Sequence, residues 1–83
     1  MDYKVLIKLY VPEIEENYEL RIPINKYVGE VAESLTKIVN ELSKVYPVKQ
    51  TANLCNRQTG TIYQKNYIIR QTDIRNGTEL VLF

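Results

Sequence analysis

The sequence contains no histidine and no tryptophan, and its only cysteine is Cys55. Histidine is the commonest general acid–base in enzymes and the commonest nitrogen ligand for metals, so its absence removes the usual catalytic and metal-binding arrangements. One cysteine without histidine cannot supply the ligand set of a structural zinc site. We therefore predict that the chain is not an enzyme, and we expect no catalytic residue, no metal site and no cofactor.

Glycine is also scarce, and the three glycines, Gly29, Gly60 and Gly77, are too far apart to form a phosphate-binding loop. A single cysteine permits no internal disulfide, which fits a reducing compartment. Because no histidine is present to activate the thiol, we interpret Cys55 as a small apolar residue on a short strand. The functional alternative is a reactive thiol or thioester acceptor.

Neither sign of charge is in large excess: 11 basic and 10 acidic residues give a net charge of +1. That balance gives no global field to attract nucleic acid or an anionic membrane. No apolar run approaches the roughly 20 residues that span a bilayer, and the N-terminus lacks the features of a signal peptide. We expect one domain over residues 1–83 that is cytoplasmic and does not insert into a membrane.

What the sequence does contain is regular apolar spacing. Alternation over residues 3–11 predicts a strand that ends at Pro12, and alternation over residues 18–24 predicts a second strand paired with it in a hairpin. Spacing of three and four residues then predicts one amphipathic helix over about residues 27–45, with Asn25 as the best capping residue and Pro47 closing the far end. Its predicted apolar positions are Val28, Val31, Leu35, Ile38, Val39, Leu42 and Val45.

The rest of the chain reads as short elements. Residues 52–56 and 61–63 are two predicted short strands around a turn, and residues 67–69 are a buried turn or a fragment of helix. Asn76-Gly77 forms a tight turn into a last strand over residues 78–83. The predicted order is β-β-α-β-β-turn-β.

That order resembles the β-grasp fold, an α+β fold in which a mixed sheet of four to five strands packs on one helix. Val5-Leu6-Ile7-Lys8 and Leu80-Val81-Leu82 resemble the first and last strands of ubiquitin. Two further segments, Tyr18-Glu19-Leu20-Arg21-Ile22-Pro23 and Ile74-Arg75-Asn76-Gly77-Thr78-Glu79-Leu80, are similar to the bacterial ubiquitin-like proteins of the YukD/EsaB type, which accompany type VII secretion systems. The resemblance implies a cytosolic accessory or regulator that docks on cytoplasmic domains of membrane components.

Ubiquitin and the sulfur-carrier proteins react through a tail that ends in Gly-Gly, and no glycine follows Gly77 here. We expect a ubiquitin-like body of this kind to bind other proteins and to modify none. Three alternatives stay open: another β-grasp adaptor, a sulfur carrier or modifier if the natural chain extends beyond Phe83, and a small nucleic-acid-binding domain. The last would use basic and aromatic residues as a stacking platform, namely Arg57, Tyr63, Lys65, Tyr67 and Arg70.

The fold also predicts a contact surface. If Tyr3, Val5, Ile7 and Leu9 face the helix, the alternate residues face away from it. With the first and last strands as parallel neighbours, this arrangement predicts an apolar protein-binding cluster of Leu6, Val81 and Phe83, flanked by Lys4 and Lys8. Tyr10 is a weaker candidate. We expect protein partners, recruitment to a membrane only through such a partner, and a monomer or weak homodimer.

Overall fold

The computed structural model of the chain describes residues 3–43 and 52–83. In chain order they form β1 (Lys4–Val11), β2 (Glu16–Pro23), α1 (Val28–Leu42), β3 (Leu54–Asn56), a short 3-10 helix (Ile69–Gln71) and β4 (Glu79–Leu82). The strands make one sheet in the order β2-β1-β4-β3. β1 and β4 are parallel and lie at its centre, which confirms the predicted α+β class with four strands and one helix.

The first two strands form the predicted hairpin, in which β1 and β2 pair antiparallel with Ile7 opposite Leu20. Alternation along β1 buries Ile7, Leu9 and Val11, as expected from their spacing. Tyr3 precedes β1 at the end of the sheet and its side chain is half exposed, so it is not part of the buried core.

The helix ends at Leu42, earlier than the apolar pattern predicted. Its buried residues are Val28, Val31, Ala32, Leu35, Thr36 and Val39. This stripe includes Ala32 and Thr36, so Ile38 and Leu42 fall on the flank of the helix and are exposed, contrary to the prediction for them. Val45 and Pro47 lie outside the described residues.

The helix begins differently from the prediction. Tyr27 is the N-cap residue, and its N–H donates to the Glu30 carboxylate at 3.2 Å, which is one half of a capping box. Asn25 is therefore not the cap. Its side-chain oxygen instead accepts a hydrogen bond from the Arg70 guanidinium at 2.7 Å, which connects the start of the helix to the 3-10 helix.

The second half is mostly turns, as the short elements predicted. β3 lies within the predicted strand, but the predicted strand at 61–63 is reduced to one bridge, between Cys55 and Ile62. The segment predicted as a buried turn or a helix fragment leads into the 3-10 helix, whose first residue, Ile69, is fully buried. Gly77 adopts φ +86° in the turn before β4, a conformation that glycine tolerates best.

The core fills the space between the helix and one face of the sheet. It contains β1 and β4 residues together with the helix stripe, and partly buried Val5, Tyr18, Leu20 and Ile24 pack against it. The helix therefore covers only one face of the sheet. We call the opposite face the outer face.

Candidate protein-binding surface

The outer face carries the side chains that alternate with the core. On β1, Lys4, Leu6 and Lys8 are exposed and Tyr10 is half-buried, whereas Leu80 and Leu82 of β4 are buried and leave Glu79 and Val81 on the outer face. The predicted phase of both central strands is thus confirmed. It is set by burial of the alternate residues, since a shift by one residue would bring Lys8 into the core.

The register between strands decides which outer residues are neighbours. Tyr10 lies beside Val81 in the parallel pair, and Val81 lies opposite Cys55 on β3. Cys55 in turn bridges to Ile62, which is 62% exposed. Tyr10, Val81, Cys55 and Ile62 therefore cross the sheet in one line, which we call the outer-face row.

The same register corrects the predicted cluster. Leu6 precedes Tyr10 by four residues, so its Cα lies about 13 Å along the strand from the level of Val81. Leu6 pairs with Arg21 on β2, and its N–H donates to the Asn76 side-chain oxygen at 2.8 Å. Leu6 and Lys4 thus lie toward one end of the outer face and Val81 toward the other, and the three predicted apolar residues do not form a single cluster.

Phe83 lies at the same end as the outer-face row. It follows Val81 by two positions, which places it on the same face, and its side chain is 46% exposed. Its backbone N–H and C=O both bond to Asn53, at 3.0 and 2.7 Å, so the strand direction is kept through Phe83. Of the predicted apolar contacts, Val81 and Phe83 are brought together.

Arg57 closes one side of the outer-face row. It follows β3, its backbone N–H donates to the Glu79 carbonyl at 2.9 Å, and its guanidinium lies 4.5 Å from the centre of the Tyr10 ring. The guanidinium also donates to the Asn17 side-chain oxygen at 3.4 Å. This cation–π contact over an aromatic ring fixes the Tyr10 side chain against the sheet and puts a positive charge beside the apolar row.

A polar row runs next to the apolar one. Lys8 lies between Glu19 of β2 and Glu79 of β4, and the Glu79 carboxylate accepts a hydrogen bond from the Gln58 side chain at 3.2 Å. The predicted contact residue Lys8 is thus one step along the sheet from Tyr10 and Val81. An apolar centre bordered by polar and charged groups is the composition of a protein-binding surface.

The Cys55 thiol belongs to this surface as part of its apolar line. Its side chain is partly buried between Val81 and Ile62, and burial raises the pKa of the thiol above its ordinary value. A raised pKa lowers the fraction of thiolate, the reactive form. This supports the interpretation of Cys55 as a packing residue.

Tyr63 does not lie on an exposed stacking platform. The residue is 8% exposed, and its hydroxyl donates to the Asp73 carboxylate at 2.6 Å and accepts from the Asn56 side chain at 3.1 Å. Burial, together with the bond to Asp73, raises the pKa of Tyr63 to about 12. Because Tyr63 is buried, the five residues considered for nucleic acid do not form one exposed stacking platform.

Sequence reasoning missed three members of the surface, Cys55, Ile62 and Arg57, although it placed Cys55 on a short strand. Ile62 could have been found, because it precedes the buried Tyr63 and alternation then places it on the opposite side. Arg57 could not, because its position over Tyr10 depends on β3 lying two strands away from β1.

Solved structures of other proteins share this architecture. The EccD5 ubiquitin-like domain from Mycobacterium xenopi superposes with a TM-score of 0.82 at 18% identity, covering 99% of this chain and 94% of that one. A chain of the MycP5-free ESX-5 inner membrane complex gives 0.81 at 20% identity, with 99% of this chain matched to 21% of that chain. No protein-family model and no curated protein matches the sequence.

These similarities show that the chain has the ubiquitin-like β-grasp fold. The fold alone does not fix a function, because a chain of the toluene 4-monooxygenase HD complex with the inhibitor 4-bromobenzoate also matches, at a TM-score of 0.78 and 9% identity over 95% of each chain. Within residues 3–43 and 52–83, no helix has the length and apolar content needed to cross a membrane.

Proposed function

We propose that this chain is a non-conjugated, non-enzymatic ubiquitin-like module that binds a protein component of a type VII secretion system, in the manner of the YukD/EsaB proteins. The structural similarity to an EccD5 ubiquitin-like domain, over nearly the full length of both, supports a secretion-associated role. The β2 segment and the turn into β4, which resemble the YukD/EsaB proteins, support the finer assignment.

The observation that carries the binding role is the outer-face row. Four side chains of low polarity from β1, β4, β3 and the Ile62 bridge line up on the face that the helix leaves uncovered. Lys8, Glu79 and Arg57 border the row with charge of both signs. A partner that covers this row gains apolar burial at the centre and polar contacts at the rim, which is how specific interfaces are built.

The proposed contact surface extends the predicted one. Lys8, Val81, Phe83 and the weaker candidate Tyr10 are retained from the sequence analysis, and Cys55, Ile62 and Arg57 join them. Leu6 and Lys4 remain predicted contacts at the far end of the same face. The partner we propose is the cytoplasmic domain of a membrane-embedded secretion component, which would recruit this chain from the cytoplasm to the membrane.

The experiment is capture of partners from native cytosol and detergent-solubilised membrane with the immobilised chain as bait. We expect wild type to retain a membrane component of the secretion system and an Ile62→Glu bait to lose it. Lys37→Glu introduces the same acidic side chain at an exposed helix position away from the outer face and serves as the control. Equal capture by wild type and Ile62→Glu would contradict the proposed surface. Recovery of nucleic acid alone would contradict the proposed function.

A further inference from the structure

β2 is one of the two edge strands of the sheet, and among the described residues no strand pairs with its second side. The Ile24 N–H donates to the Tyr3 carbonyl at 2.8 Å, and these two residues continue the register of the hairpin. In an antiparallel pair the bonded positions alternate, so the peptide groups of Leu20 point toward β1 and those of Asn17 and Glu19 point away. An outer strand of eight residues is a template for a further strand.

The charged residues along this edge change sign from one end to the other. Acidic residues are concentrated in the hairpin turn and the start of β2, at Glu13, Glu15 and Glu16. Basic residues occur at the other end, at Arg21 and Lys26. A strand with the reverse charge order fits beside β2, and an antiparallel second copy of β2 has that order. The charge pattern of the edge is thus complementary to itself.

Apolar surface accompanies the same edge on the helix side. A groove of about 200 Å³ separates β2 from α1 and is lined by Ile22, Pro23, Val31, Leu35 and Ile38 among others. Ile38 is 38% exposed, and Leu42, one turn further on, is 53% exposed. Exposed apolar residues on the flank of the helix that borders an outer strand give a second copy something to cover besides the strand.

We propose that two copies of this chain associate through their β2 strands, antiparallel, with the twofold axis at Leu20. Glu19 then lies opposite Arg21 of the second copy, and the reciprocal pair forms by symmetry. Both residues belong to the set whose peptide groups point away from β1, so the pairing is a hydrogen-bonded one. A twofold axis at Glu19 would also bring outward-pointing peptide groups opposite each other. It would, however, place the two Glu19 carboxylates side by side, which disfavours it.

The paired sheets form one continuous sheet with both helices on the same side. Ile38 and Leu42 of each copy then border the space between the two helices. The outer-face row stays uncovered in each copy, and the two rows face the same way, so a dimer offers two equal contact surfaces to a partner assembly. This inference stands on the edge strand and does not depend on the proposed function.

The test is the oligomeric state of the full chain by sedimentation equilibrium over a range of concentrations up to millimolar. Wild type is expected to approach twice the monomer mass. Glu19→Arg alone and Arg21→Glu alone each place like charges opposite each other and are expected to stay monomeric. An equimolar mixture of the two variant chains restores both opposite-charge pairs, and it is expected to form a heterodimer of twice the monomer mass.

Thermal melts and amide spectra of each variant control for folding, because Glu19 also lies opposite Lys8 within the chain. A second readout is hydrogen exchange, in which the Glu19 amide of wild type gains protection as concentration rises and the Leu20 amide does not change. A wild-type chain that remains monomeric at millimolar concentration would overturn the proposal. So would a dimer that both single variants form as readily as wild type, since another surface would then hold it together.

Discussion

At the scale of single residues, Tyr63 is the position where burial and hydrogen bonding act on one titratable group. Its hydroxyl lies between the Asp73 carboxylate and the Asn56 amide, and its pKa is raised to about 12 by burial and by the bond to Asp73. In the unfolded chain the pKa of this phenol is about 10. The fold therefore favours the protonated phenol.

This difference predicts a pH dependence of stability. Because the folded pKa is raised, the contribution of Tyr63 is fully present below about pH 10 and is lost as pH rises from about 10 to about 12. Urea unfolding at several pH values should show the free energy of unfolding falling more steeply over this interval in wild type than in Tyr63→Phe. Parallel curves for the two proteins would show that Tyr63 does not carry this effect.

Two adjacent residues of β1 test the facing of the strand. Ile7 is fully buried and Leu6 is 40% exposed on the outer face. Ile7→Glu buries an unpaired charge and is expected to cost more than about 3 kcal/mol or to prevent folding, whereas Leu6→Glu should change the free energy of unfolding by less than about 1 kcal/mol. Denaturant unfolding measures both. A larger loss for Leu6→Glu than for Ile7→Glu would contradict the strand register.

Leu6→Glu also bears on binding. If Leu6 lay in one cluster with Val81 and Phe83, Leu6→Glu would abolish partner capture. With Leu6 about 13 Å along the strand from Val81, we expect its effect on capture to be smaller than that of Ile62→Glu. Quantified capture by the two variants side by side checks this order.

At the scale of elements, the turn before β4 joins the two central strands. The Gly77 N–H donates to the Leu6 carbonyl at 2.8 Å, and the Asn76 side-chain oxygen accepts from the Leu6 N–H at the same distance. The turn thus pairs with β1 before β4 begins. This contact fixes how far β4 is shifted along β1.

Substitution of the turn glycine should be costly for backbone reasons alone. Gly77 has φ +86°, and a Cβ built there meets no atom within 4 Å. Gly77→Ala is therefore expected to lower the free energy of unfolding by about 1 to 2 kcal/mol, and Gly77→Asn by less, because asparagine tolerates positive φ better than alanine does. Equal stability of Gly77→Ala and wild type in urea would contradict this.

Elements differ in how well the sequence predicts them. The hairpin and the helix follow from local apolar spacing, so both were predicted, and the facing of Lys4, Leu6 and Lys8 came with them. The exposure of Ile38 and Leu42 could not be read from spacing, because the pattern does not show how much of a helix a four-stranded sheet covers. Local sequence favours Asn25 as the helix cap. Its actual partner, Arg70, is 45 residues away, so this bond could not be predicted from the neighbouring sequence.

The register of β4 on β1 is the main feature of the fold that the sequence did not predict. The two strands are parallel, and their relative shift is set by contacts between the first and last parts of the chain rather than by alternation. Alternation gave the correct face for Val81 but no neighbour on β1. The predicted site was accordingly correct in facing for Lys4, Leu6, Lys8 and Val81, and wrong in grouping Leu6 with Val81.

At the scale of the whole molecule, the architecture assigns separate surfaces to separate contacts. The helix covers one face of the sheet and the outer face presents the outer-face row. The β2 edge runs along the side of the sheet and belongs to neither face. A partner on the row and a second copy on the edge can bind at the same time. Linking two equal surfaces raises the apparent affinity for an assembly that presents two equal sites.

This arrangement predicts that dimerisation and partner binding are separable. Arg21→Glu, which should abolish self-association, is expected to leave the affinity for a single partner domain unchanged and to weaken binding to an assembly with two sites. Surface plasmon resonance with the partner at low and at high surface density distinguishes the two cases. Equal loss at both densities would show that the β2 edge itself contacts the partner.

The most direct test of the central claim is calorimetric titration of the captured partner domain with wild type, Ile62→Glu and Lys37→Glu. If the outer-face row is the contact surface, Ile62→Glu should bind at least about tenfold more weakly, while Lys37→Glu on the helix should bind like wild type. Both variants should stay folded, with Lys37→Glu melting somewhat lower because it sets like charges at i,i+4 spacing from Glu33 and Glu41. Wild-type affinity for Ile62→Glu, or an equal loss for Lys37→Glu, would place the contact away from the outer face and contradict the account.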